Sequence, residues 1–244
     1  MDFIANFTER FQLNFIKDDR WIYIADGLKV TLTVTFFSVL IGIVLGFMIA
    51  LVRATYDRTG KKMFQWERFG DCVLWFFNLL AKLYLTVIRG TPVVVQLLII
   101  YFVIFASVDI DKVLVAVIAF GINSAAYVAE IFRGGIMSID IGQMEAGRSL
   151  GFSYWQTMWY IILPQAFKTV LPTLGNEFIV LLKETSVAGY IALQDLTKGG
   201  DIIRSRTYDA FFPLVAVAII YLVMVMIFTK LVSMLERRLQ QSER

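Results

Sequence analysis

The chain has 244 residues, 58% of them hydrophobic and 18% charged, with a mean hydropathy of +0.70, whereas soluble domains run at roughly 45–50% apolar and about 25% charged. The apolar residues come in long blocks, the composition of a polytopic membrane protein, and a net charge of +3 is too small to suggest nucleic acid as a partner. With no histidine and a single cysteine, Cys72, an internal disulfide, a histidine-based triad, a zinc site and a His-ligated haem are excluded.

Residues 1–27 are mixed in charge, carry Asp18-Asp19-Arg20 and lack the basic-then-apolar pattern of a cleaved signal peptide. The first apolar span is therefore expected to act as the targeting signal. Hydropathy predicts five membrane spans, near Leu28–Leu51, Thr91–Val108, Lys112–Phe132, Leu174–Leu193 and Phe211–Ser233. A sixth apolar stretch, Phe69–Ile88, carries Asp71, Asn78 and Lys82. It reads as a helix lying on the membrane or leading obliquely into the second span.

The linker after the first span holds Arg53, Arg58, Lys61, Lys62 and Arg68 against Asp57 and Glu67, and the tail holds Lys230, Arg237, Arg238 and Arg244 against Glu236 and Glu243. Positive charge marks the cytoplasmic side. Five crossings then give an all-α polytopic bundle with an extracytoplasmic segment 1–27, a single transmembrane domain 28–233 and a cytoplasmic tail 234–244. The N-terminus is expected outside and the C-terminus inside. The polar segment Gln194–Asp209 falls outside, either to meet an extracytoplasmic partner or simply as a solvated loop.

Between the third and fourth spans lies a charged, Gly-punctuated loop, 140–166. Gly151 suits the left-handed position that closes a helix. Ser153 with Gln156 makes a capping box that starts a second short helix bearing Trp155, Met158 and Trp159. Leu163-Pro164 is expected to stop that helix. An ordinary amphipathic surface helix would also carry a cap and a Gly stop. The whole run, Glu145-Ala146-Gly147-Arg148-Ser149-Leu150-Gly151 followed after nine residues by Ile161-Ile162-Leu163-Pro164, is more specific. It resembles the cytoplasmic EAA loop of the membrane subunits of bacterial ABC importers. One departure is Gly147, where that family usually has a second Ala.

Three further motifs resemble the polar amino-acid uptake branch of that family. They are Arg89-Gly90-Thr91-Pro92-Val93-Val94-Val95-Gln96-Leu97, then Asn123 to Gly135, then Leu174-Gly175-Asn176-Glu177-Phe178 with Leu182-Lys183-Glu184-Thr185-Ser186. The resemblance covers roughly residues 28–233. The linker Thr55–Lys82 is longer than the family leads one to expect. The resemblance implies a type I ABC importer permease fold with Glu145, Ala146, Gly151, Trp155, Leu163 and Pro164 coupling to a separate ATPase. It also implies two ATPase copies, a homodimer or a homologous permease partner, an extracytoplasmic binding protein, and residence in the bacterial cytoplasmic membrane among lipid. ATP and Mg would be bound by the partner ATPase, leaving no cofactor in this chain.

The residues themselves suggest a solute pathway. Asn123, Tyr127 and Glu130 share one helix face, as do Glu177 and Glu184. A charge near mid-membrane costs at least about 2.5–3.5 kcal/mol, so Lys183 and Glu184 are expected to face a bundle interior or a watery path. Amino acids carry both charge signs, which suits Asn123, Tyr127, Glu130, Glu177, Lys183, Glu184 and Gln96 as pathway residues. Structural alternatives stay open. Lys183 and Glu184 would also serve as an ion pair or at a dimer interface, Glu130 and Arg133 as a helix-surface pair, Arg89 as an interfacial anchor, and Gly42 with Gly46 as close helix packing.

No P-loop, nucleophile elbow, dinucleotide fingerprint or metal-ligand cluster occurs in the sequence. Catalysis in this chain is not expected. A stand-alone ion-coupled secondary transporter would also use buried charges, but it has no need of a docking loop.

Overall fold

The computed structural model describes residues 2–60 and 69–241, and every element among them is helical. Lys61, Lys62, Glu67, Arg68, Glu243 and Arg244, used above for orientation, lie outside the described residues. The helices are α1 (Asp2–Phe11), α2 (Trp21–Thr55), α3 (Phe69–Gly90), α4 (Val93–Ile99), α5 (Lys112–Ser138), α6 (Ile141–Ser149), α7 (Tyr154–Thr157), α8 (Leu163–Glu184), α9 (Leu196–Thr207) and α10 (Phe211–Gln241).

Helices long and apolar enough to cross a membrane occur at Trp21–Arg58, Gly70–Gly90, Lys112–Ser138 and Phe211–Leu239. Two expectations change here. The stretch Phe69–Ile88, read as lying on the membrane or leading obliquely into the second span, is itself of crossing length and apolarity, which favours the second of these. The span expected at Thr91–Val108 is short: α4 and one π-type turn give helix only over Val93–Ile104, about 18 Å at 1.5 Å per residue. A hydropathy window does not register the interruption at Thr91-Pro92, where Pro92 lacks an N–H and biases Thr91 away from helix. The span expected at Leu174–Leu193 belongs to α8, which starts earlier, at Leu163, and passes into a tight 3-10 turn over Thr185–Ile191.

The chain divides into two compact units. The first comprises residues 1–38, 93–120 and 178–230; the second comprises 39–92, 121–177 and 231–244.

In the first unit, Leu182, Leu196, Val217 and Met224 form a buried cluster under Ile24, Leu28, Phe178 and Phe228. The α9 segment closes over it. Asp195 caps α9, its carboxylate accepting from Thr197 N and Lys198 N at 3.0 Å each. Leu196 N donates to Thr31 Oγ1 at 3.1 Å. At Gly199 the backbones of α9 and α2 come so close that a Cβ would stand 2.3 Å from the Tyr23 carbonyl oxygen.

A polar lock fastens α1 to the turn before α10. Arg10 grips Asp209 at 2.8 and 3.0 Å, and the buried Asn14 donates to the same carboxylate at 2.9 Å. Thr207 Oγ1 donates to Asn14 Oδ1 at 2.8 Å. The Arg10 guanidinium and the Asn14 amide hold the Asp209 carboxyl below its ordinary range. A depressed folded-state pKa gives a stabilisation that is full above the unfolded value near 3.8 and lost as the pH falls through the lower folded value. The N-terminal segment is therefore expected to stay docked from pH 8 down to about pH 4 and to loosen below it. Asp209→Asn should loosen it at neutral pH. Hydrogen exchange of residues 6–16 across pH checks both outcomes.

In the second unit α2 packs on α5 through Gly42 and Gly46. A Cβ at Gly42 would meet Ser124 Oγ at 2.8 Å, and one at Gly46 would meet Val128 Cγ1 at 2.7 Å. The G-x-x-x-G is thus a close-packing stripe. Ala50, Val128, Phe132, Val170 and Leu174 form the adjacent core.

Candidate functional site: the coupling surface and the pathway face

The loop between α5 and α8 folds as a capped helical pair. Asp140 starts α6, its side chain accepting from Gly142 N at 2.6 Å. The helix ends in a Schellman motif: Phe152 N reaches Gly147 O and Gly151 N reaches Arg148 O, both at 3.1 Å. Gly151 supplies the required left-handed backbone, with φ +87°. The Ser153–Gln156 capping box is complete in both directions and opens α7. Ser153 N donates to Gln156 Oε1 at 2.7 Å.

The second helix does not stop at Leu163-Pro164, contrary to the sequence expectation. A π-type turn over Met158–Ile162 carries α7 into α8, with Leu163 N–H bonding Met158 O. Proline here falls in the first turn of α8, where its missing N–H costs least. Gln165 Nε2 donates to the Ile161 carbonyl at 2.7 Å, one turn back.

Glu145, Ala146, Gly151, Trp155 and Pro164 are exposed. Leu150, Trp155, Trp159 and Tyr160 stand out beside them, at 78%, 51%, 52% and 75% exposure. Leu163 differs from the rest of its predicted set: it is buried with Ala54, Ile136, Met158, Ile162 and Ala166, anchoring the loop from beneath. Gly147 is also buried. A Cβ there would lie 2.6 Å from Thr157 Cγ2, so α6 and α7 meet closely at this point.

Two residues of the α2–α3 linker fasten this surface and were assigned only a topological role from sequence. Arg58 Nη2 donates to the carbonyls of Ile136 and Ile139 at 2.6 and 3.2 Å, capping the end of α5 just before α6. Asp57 pairs with Arg133 at 3.4 Å. The partners lie about 80 residues along the chain, so no local pattern announces them. The Asp140 cap is local and was legible as an N-cap residue type.

Of the pathway residues, Tyr127 and Glu130 gather with cations. Arg133 Nη2 meets Glu130 at 2.8 Å and Arg89 Nη1 meets it at 3.9 Å, while Arg89 lies 5.8 Å over the Tyr127 ring. Glu130 thus makes the helix-surface pair and a second pair to the end of α3. Asn123 is 2% exposed on α5. Ser124 Oγ donates to Glu177 Oε1 at 3.0 Å, joining α5 to α8. Those residues belong to the second unit. Gln96, Lys183 and Glu184 belong to the first, where Gln96 is buried, Glu184 half-buried and Lys183 exposed. No hydrogen-bonded or ion-paired contact joins Lys183 to Glu184 among the described residues.

Residues 73–241 match the family described as binding-protein-dependent transport system inner membrane component. The chain belongs to this family. The permease is 37% identical over 223 residues to the arginine transport system permease protein ArtQ of Bacillus subtilis, covering 91% of this chain and 94% of that one. It is 38% identical over 218 residues to the glutamine transport system permease protein GlnP of Escherichia coli K12, covering 88% and 92%. Among solved structures, an amino acid ABC transporter with histidines matches at 44% identity and a TM-score of 0.75, covering 88% of this chain and 94% of that chain. The MetNI methionine ABC transporter in inward-facing conformations matches at 17% identity and a TM-score of 0.74, a likeness of fold alone. This permease is accordingly a non-enzymatic, all-helical, inner-membrane subunit of an ABC importer, in a system whose ATPase is a separate protein.

Proposed function

We propose that this permease carries polar amino acids inward. Two copies, or one copy with a homologous permease, enclose the pathway, and an extracytoplasmic binding protein feeds it. Two ATPases dock on the surface built by α6 and α7. The observation that carries the docking reading is the rigid pair of capped helices, braced by Arg58 and presenting Glu145 with an exposed aromatic rim. An ion-coupled secondary transporter leaves that surface without a use.

Five crossings follow if α8 crosses as well and α3 and α4 are one interrupted passage. Only Thr91 and Pro92 separate them, and α4 with its π-type turn is too short to cross back alone. The basic end of α2 and the basic end of α10 then share the cytoplasmic side, with the N-terminus outside. ATP binding draws the coupling surfaces together and opens the passage outward; hydrolysis resets it.

In this reading Glu177, which accepts from Ser124, and Glu184 each read the substrate ammonium. Reconstituted with its ATPase and binding protein, the permease is expected to show ATP-dependent uptake of amino acids and not of sugars or peptides. Glu177→Gln and Glu184→Gln should each weaken apparent substrate affinity by roughly tenfold or more, the scale of one charge-assisted hydrogen bond. Unchanged kinetics and selectivity in both variants would contradict direct readout, and uptake without ATP would contradict the importer.

A further inference from the structure

An apolar groove of about 300 Å³ runs between α2 and α3, lined by Met48, Ile49 and Val52 on one side and Phe77, Leu80, Ala81 and Tyr84 on the other. Both helices are of membrane-crossing composition. The lining spans eight residues of α3, Phe77 to Tyr84, about 12 Å of helix. Its two ends differ chemically. At one end the Tyr84 hydroxyl is turned away and donates to the Ile122 carbonyl, leaving the ring to wall the groove. At the other, Arg53 follows Val52 in the last turn of α2 and reaches Asn78 Oδ1 with Nη1 at 2.8 Å. That bond uses one nitrogen of a planar fork with five donors. Arg53 Nε is buried with no hydrogen-bond partner, and no carboxylate pairs with this guanidinium among the described residues. An apolar slot with an under-used guanidinium beside one end is the complement of one ligand chemistry, a hydrocarbon chain joined to a phosphate.

We propose that this groove is a specific site for an anionic phospholipid of the cytoplasmic leaflet, with an acyl chain between Met48 and Leu80 and the headgroup phosphate on Arg53. The leaflet assignment rests on the orientation proposed above, which places the end of α2 inside, where anionic lipid is concentrated. Asn78 holds the guanidinium at the mouth of the groove. Seating a lipid there fixes the end of α2, from which Asp57 and Arg58 brace the coupling surface.

The test uses the assembled importer in nanodiscs containing an anionic phospholipid with a photoreactive acyl chain, with crosslinked peptides mapped by mass spectrometry. ATPase co-purification is scored on the same sample, so loss of assembly is read apart from loss of lipid. Labelling is expected to concentrate on residues 48–52 and 77–84. Unlabelled anionic lipid should compete at least about fivefold better than zwitterionic lipid. Arg53→Gln should remove that preference, and Met48→Trp, at a position 60% exposed, should block labelling with the complex intact. Even labelling of all apolar helix faces, or a pattern unaffected by both variants, would overturn the site. Crosslinks from these residues to a second copy of the chain, in place of lipid, would overturn it in favour of a protein occupant.

Discussion

Replacing Gly151 with Val should reduce ATP-driven uptake at least tenfold while the chain still inserts. Residue 151 stands at φ +87° in a Schellman turn, with open space around the position of a Cβ. The penalty is therefore conformational and not steric. A left-handed backbone costs an L-residue about 1–2 kcal/mol, and a β-branched residue more. About 1.4 kcal/mol is a factor of ten in a population. Losing the turn frees Gly151 and Phe152 from their bonds to the Arg148 and Gly147 carbonyls and uncouples α6 from α7. Asn, which tolerates this region, should keep uptake within about threefold. Measuring transport and membrane abundance for both variants separates the turn's geometry from a general intolerance of side chains; equal loss in Val and Asn would contradict the account.

Gly199→Ala should act on the fold and not on coupling. Its Cβ would stand 2.3 Å from the Tyr23 carbonyl oxygen, and the obstacle is backbone, which has no rotamer with which to yield. Overpacking of this kind costs about 1–3 kcal/mol. In a chain of this size each kcal/mol moves the melting temperature by about 2–4 °C, so a fall of roughly 2–12 °C is expected. Differential scanning of the purified complex checks it. The same substitution at Gly70, which has open space around it, should shift melting far less.

Local chemistry was readable from sequence and distant chemistry was not. The Gly151 turn and the Ser153–Gln156 box involve residues a few positions apart, so the pattern carries its own geometry. The G-x-x-x-G stripe at Gly42 and Gly46 was open to a packing reading, and the close approach of Ser124 and Val128 bears that reading out. The break at Thr91-Pro92 was visible as residues, yet hydropathy averaged across it and put a full span on the wrong side of it. Asp71, Asn78 and Lys82 left α3 open to lying on the membrane or leading into it; the partner of Asn78, Arg53, lies 25 residues earlier and offsets the polar group inside an apolar face. Pro164 was taken for a stop because a proline so placed usually ends a helix. A π-type turn absorbs it here. Gly147 stood out only as a departure from the family's Ala; Thr157 packs against it from the next helix. Arg58 and Asp57 had no sequence signal beyond their charge.

The measurement that bears most directly on the docking surface is recovery of partners with the tagged permease from native membranes in mild detergent, for the wild type and Glu145→Lys. Glu145 is exposed on α6, so reversing its charge should leave the fold intact and repel whatever cation it meets. A P-loop ATPase recovered with the wild type and lost with Glu145→Lys is the expected result. Recovery with both would move the critical contact away from Glu145, and a permease that purifies alone and moves solute in vesicles without ATP would contradict the account.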